Sequence, residues 1–81
     1  MIDYMNLKNS YINAIQIGLL LKVGYEDAKR GNEFLHKFCE NCVDSSNYSE
    51  LDKQNMKCDL EIVKESLSQE IDHLFLRTKQ N

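Results

Sequence analysis

Not one of the chain's 81 residues is proline. Average usage is roughly 5%, and proline closes helices because its ring fixes φ, removes an N–H and clashes with the carbonyl one turn back. A chain with none, and with only three glycines, has few places where a helix must stop. Its apolar residues recur at helical spacing and no credible strand pattern is present. The expected fold is therefore all-α: a small antiparallel three-helix bundle, with helices at about 4–23, 25–43 and 48–79, making one helical domain over 1–81.

In the first block Tyr4, Leu7, Tyr11, Ala14, Ile15, Gly18 and Leu21 lie on one stripe at 100° per residue. Asp3 is placed to cap it, and Gly24 is placed as its C-cap, with a corner there. Glu26 and Asp27 then open the next helix with charges that suit its dipole. That helix presents Ala28, Gly31, Leu35, Phe38, Cys39 and Cys42 on a common face, with His36 at the edge. Gly31 weakens it by about 1 kcal/mol relative to alanine. The turn-forming stretch DSSNYSE divides it from the third helix, for which Asn47 and Glu50 have capping-box spacing. Met56, Leu60, Val63, Leu67, Ile71, Leu74 and Phe75 continue as a clean stripe.

Two helices also carry apolar residues opposite their stripes. Ile17 and Leu20 do so on the first, and Leu51, Cys58, Ile62 and Leu76 on the third. This is more apolar surface than a minimal bundle covers, and self-association or a protein partner would account for it. Ile17, Leu20, Cys58, Ile62 and Leu76 are the expected partner interface.

Composition narrows the classes. Hydrophobic content of 42% and charged content of 28% suit a folded globular chain. A net charge of −3 without a Lys/Arg cluster lacks the footprint that neutralises phosphates, so no nucleic acid is expected. The longest apolar tract, AIQIGLLLKV, is far short of the ~20 residues of a membrane span. The polar, acidic start MIDYMNLKNS does not read as a secretory leader, so a cytoplasmic location is expected. Three cysteines fit reduced thiols better than a disulfide framework. Arginine is limited to Arg30 and Arg77 while Lys, Asn, Ile and Tyr are plentiful, a bias of AT-rich coding that fits a low-GC bacterium, plasmid or phage.

The C-x-x-C in HKFCENCVD raises zinc or redox chemistry. Four ligands would be available from His36, Cys39, Cys42 and Cys58 or His73. On a helix, however, Cys39 and Cys42 lie within about 40° of Leu35, while Cys58 lies opposite its own stripe. Buried core thiols are the expectation, with no metal and no cofactor. Phosphate loops, nucleophile elbows, H-E-x-x-H and calcium loops are absent from the sequence, so no catalytic residue and no small-molecule ligand is expected.

The stretch SQEID, residues 68–72, resembles the Ser-Gln-Glu-Leu-Asp signature of the small sporulation-regulating phosphatases that act on response-regulator aspartates. The resemblance covers five residues and implies that Ser68 and Asp72 would serve an acyl-phosphate hydrolysis. That family places a short hairpin loop and an apolar helix closely upstream, whereas ELDKQNMKCDLEIVKE reads here as one helix with the signature. Two functions are therefore expected in order. The first is a small acidic non-enzymatic interaction module (regulator, inhibitor, immunity factor or secretion-type chaperone) docking an apolar helix face on a protein partner or a second copy. The second is an aspartyl-phosphate phosphatase.

Overall fold

The structure, a computed structural model, describes residues 2–79. Helix α1 spans Tyr4–Leu20, α2 spans Tyr25–Asp44 and α3 spans Glu50–Lys79. No strand occurs among the described residues, and all three helices touch one another, so the fold is the small three-helix bundle expected. Lys29, early in α2, meets Asp72, late in α3, while Asp44 at the end of α2 meets Lys57; α2 is therefore antiparallel to α3. Tyr4 meets Asp59, and Ile12 lies by Val63 and Leu67, so α1 runs parallel to α3. The result is a rod of 48 × 19 × 16 Å.

The chain stops its first helix without glycine or proline. Asp3 caps the start, its carboxylate accepting from the N–H of Met5 at 3.0 Å and Asn6 at 3.4 Å. At the other end α1 finishes at Leu20, three residues earlier than the stripe predicts. Lys22 adopts φ 62°, and the N–H groups of Lys22 and Val23 reach back to the carbonyls of Leu19 at 3.1 Å and Gly18 at 3.2 Å. This is a Schellman closure, with the Val23 side chain folded over the glycine that ends the motif's apolar contact. Gly24 is thus not the C-cap of α1. Its φ of −69° and ψ of 164° make it the extended N-cap of α2. A lysine in the left-handed region is strained by about 1–2 kcal/mol. Lys22→Gly is therefore expected to stabilise the fold by about 1 kcal/mol, read as a rise in melting temperature of about 4–8 °C with unchanged helicity; no rise would show that the closure carries no strain.

The cap of α3 is Ser49, not Asn47. Its hydroxyl accepts from the N–H of Asp52 at 3.2 Å, and its carbonyl receives the first helical bond from Lys53 at 2.9 Å. Serine two residues closer to the helix takes the role because Tyr48 is held elsewhere. Its hydroxyl donates to the carbonyl of Ile2 at 2.8 Å and accepts from the N–H of Tyr4 at 3.4 Å, which satisfies one orphan donor of α1. The end of α2 is served by lysines from α3: Lys53 donates to the carbonyl of Asp44 and Lys57 to its carboxylate, cations placed where the helix dipole favours them.

The core is narrow. Leu60, Ile71 and Val43 are fully enclosed, joined by Leu67, Cys39, Ala28, Ile15, Tyr11 and Tyr4. On α2 the buried line is Ala28, Asn32, His36, Cys39 and Val43, which turns the helix away from the face predicted by its apolar residues. Gly31, Leu35 and Cys42 are only half-buried, and Phe38 is 52% exposed. Nor does Gly31 interrupt α2. The cause lies in α3, against which α2 chiefly packs: Asn32 Nδ2 finds the Lys64 carbonyl there, and the helix rotates to supply it, carrying His36 inward one turn along. On α1, Ala14 and Leu21 are exposed while Ile12, Leu19 and Val23 are half-buried; the early stop at Leu20 takes Leu21 off the helix face.

Candidate functional site

The polar side chains of the bundle converge at three levels. The first two turns of α1 carry Tyr4 and Lys8, which share Asp59 of α3. The Tyr4 hydroxyl donates to Asp59 Oδ2 at 2.6 Å and Lys8 Nζ donates to the same oxygen at 2.9 Å. The opening of α2 repeats the device with Tyr25 and Lys29 on Asp72, at 2.6 and 3.0 Å to Oδ1. In each pair the ammonium also sits over the tyrosine ring, 5.7 and 5.6 Å from its centre, a cation–π geometry. The i, i+4 spacing puts phenol and ammonium on one face. Tyr-x-x-x-Lys at both helix starts was the sequence signal for this, and stripe analysis passes over it because it scores tyrosine only as apolar.

Between the clasps lies a buried link across all three helices. The Tyr11 hydroxyl of α1 donates to Asn32 Oδ1 of α2, and Asn32 Nδ2 donates to the Lys64 carbonyl of α3 at 3.0 Å. One turn along α2, His36 is 6% exposed, buried rather than at the stripe's edge. Its Nδ1 lies 3.7 Å from Glu40 and its Nε2 3.2 Å from Glu61. The second approach is too poorly aligned for a hydrogen bond, and Nε2 has no other partner. The two carboxylates flank opposite ring nitrogens, so they do not converge with the histidine on one ion. Among the described residues no group of three His, Cys, Asp or Glu is placed to hold a metal.

These contacts set the charge states. Hydrogen bonds from Tyr4 and Lys8 hold Asp59 below the ordinary carboxyl value, and those from Tyr25 and Lys29 do the same for Asp72. Burial raises the phenols of Tyr4 and Tyr11. Burial, with the neighbouring Cys42 thiol, pushes Cys39 up to about 11. For the aspartates the folded value lies below the unfolded one, so their stabilisation is present above about pH 4 and lost as pH falls through the folded values. For the phenols and Cys39 the folded values are the higher, so their contribution is lost only in alkali. Through these groups melting temperature is expected to fall as pH drops below about 4 and again in alkali. A double Asp59→Asn, Asp72→Asn variant should show a shallower acid limb; an unchanged limb would place the acid sensitivity elsewhere.

Ser68 and Asp72, the positions that carry the phosphatase resemblance, are both engaged. Lys29 Nζ donates to Ser68 Oγ at 2.6 Å as well as to Asp72. Beside them a shallow depression of about 340 Å³ is lined by Tyr25, Asp72, Phe75 and Leu76, with the two aromatic rings edge to face at 5.4 Å. The cysteines are free and graded in depth: Cys39 buried, Cys42 half-buried, Cys58 exposed.

Ile17, Leu20, Cys58, Ile62 and Leu76 all lie at the surface, with Ile17 55%, Leu20 79%, Ile62 67% and Leu76 57% exposed. They do not form one patch. Cys58 and Leu76 sit five turns apart on α3, about 27 Å, and Ile62 lies between Glu61, Glu65 and Gln69 on one side and Ile12 and Gln16 of α1 on the other, while Leu76 lines a depression with Tyr25 and Asp72. The α1 pair has other company. Over Tyr4–Leu20 the only charged residue is Lys8, and Asp59 occupies it. The exposed residues of α1 are Met5, Asn6, Asn9, Ser10, Asn13, Ala14, Gln16, Ile17 and Leu20, followed by Leu21, all uncharged. Phe34 and Phe38 of α2 are further exposed apolar residues, 69% and 52%, which a search for stripes had placed inward or left aside.

Among the described residues no helix is long and apolar enough to cross a membrane. Comparison of the chain with protein-family models, with curated proteins and with solved structures returns no match. The functional reading therefore rests on the geometry alone.

Proposed function

We propose that this chain is a small acidic, non-enzymatic interaction module that docks the outward face of α1 on a protein surface. One observation carries the reading. In a chain with 23 charged residues, ten basic and thirteen acidic, one helix presents a solvent face with no charge and with Met5, Ile17, Leu20 and Leu21 between 55% and 79% exposed. Charged residues are depleted from the centres of protein interfaces, and helix recognition reads such apolar anchors at turn spacing. Of the five interface residues expected from the sequence, Ile17 and Leu20 belong to this face. The outward side of α3, with Glu61 and Glu65 beside Ile62, suits solvent better.

The phosphatase alternative has the weaker support, because Ser68 and Asp72 are spent on Lys29 and Tyr25 and hold α2 to α3. A regulator, inhibitor, immunity factor or chaperone role in a cytoplasm remains within the proposal. The test is retention of protein from the source cell by the tagged chain, compared with Ile17→Glu and Leu20→Glu variants of unchanged helicity. A protein retained by the wild type and lost by both variants supports the reading. Retention that ignores both variants removes α1 from it, and release of phosphate from a phosphorylated response regulator, abolished by Asp72→Asn, would replace it.

A further inference from the structure

The charge pattern along α1 says more about the occupant of its outward face. Asp3 stands at its N-cap and Lys22 at the residue after its C-cap, about 28 Å apart at helical rise, and every exposed residue between them is uncharged. A second copy laid antiparallel on this face would set Asp3 of each copy at Lys22 of the other. A parallel pair would set like against like. The face is thus self-complementary under a two-fold axis, as an isologous interface must be, and the antiparallel arrangement also opposes the two helix dipoles.

Surface area points the same way. The chain exposes 5790 Å², whereas a compact monomer of its 9.5 kDa exposes about 5,050 Å² on the usual size relation. The excess, about 740 Å², is close to the ~800 Å² that one partner gives to a standard interface. It arises from the rod shape, which a side-by-side copy would correct. We infer that the partner seated on the outward face of α1 is a second copy of this chain, its α1 antiparallel to the first and Asp3 facing Lys22 at both ends. The inference rests on the reading of α1 as a docking face and names its occupant.

Sedimentation or light scattering of the intact chain tests it. The expected result is twice the monomer mass, with Ile17→Glu or Leu20→Glu raising the dimer dissociation constant by at least about tenfold, and Leu76→Glu, on the side of α3 that meets Tyr25 of α2, leaving it unchanged. Both α1 positions are exposed, and circular dichroism confirms that each variant is folded; should one fail, the other serves. Register is read by charge reversal: Lys22→Glu alone weakens the dimer, and Asp3→Lys added to it restores at least part of the loss. A monomer at millimolar concentration overturns the inference, as does a dimer that Leu76→Glu splits and Ile17→Glu does not. A monomer that still binds a different protein through Ile17 also overturns it, while leaving the docking role of α1 standing.

Discussion

Leu60→Ala is expected to cost about 2–5 kcal/mol, against a total stability of about 4–12 kcal/mol for a chain of this length. Leu60 is 0% exposed and belongs to the buried cluster with Val43, Leu67 and Ile71, so its truncation leaves a cavity inside packed core. The rod shape sharpens this. With extents of 19 × 16 Å across the rod, the core is thin and each enclosed side chain is a large part of it. Urea titration followed by circular dichroism measures the loss as a lower midpoint. A cost under about 1 kcal/mol would show that the core is slack at this position. Ile71→Ala, also 0% exposed, serves as the comparison one level along.

The second large effect is expected at Asn32, which is 2% exposed. Asn32→Ala deletes the acceptor of the Tyr11 proton and the donor to the Lys64 carbonyl, and is expected to cost about 2–3 kcal/mol. The loss is not larger because the Tyr11 hydroxyl keeps a second acceptor, the carbonyl of Asn32, at 3.2 Å. Tyr11→Phe removes the shared proton from the other side, at about 1–2 kcal/mol. Because both variants break the same link, the double variant should cost less than the sum, with a coupling of about 0.5–3 kcal/mol. Strict additivity would mean that the buried link contributes nothing as a unit.

The class of fold was legible because helical periodicity survives any detail of packing. The stripe of α3 from Met56 to Ile71 is found largely as read, since that helix faces both of its neighbours. The face of α2 was misread by about one position because its inward line contains Asn32 and His36, and apolarity alone sends such residues outward. The burial of Asn32 is decided by an acceptor on α3 that is 32 residues away in sequence, which no local window contains, and His36, one turn on, is carried in with it. The corner was misplaced for a related reason. Glycine is the usual residue for a left-handed closure, so Gly24 attracts the assignment, yet the reach of Val23 back to Gly18 sets the turn at Lys22. For the candidate surface, exposure of Ile17 and Leu20 followed from their angle to the stripe. That Lys8 is the one charged residue of α1 is also legible in the sequence, but it becomes meaningful only once Lys8 is seen to be engaged by Asp59.

The two tyrosine–lysine clasps fix where this chain can change length. Asp59 and Asp72 are thirteen residues apart on α3, and at 100° per residue they point about 220° apart, one toward α1 and the other toward α2. Inserting one residue between them turns everything beyond it by 100° and moves it 1.5 Å, so whichever aspartate keeps its clasp, the other leaves its own. Insertions and deletions should therefore be tolerated ahead of Tyr48 in the connection and after Phe75, and rejected within 59–72. Among chains descended from a common ancestor with this one, that segment would keep its residue count even where little of its sequence is kept.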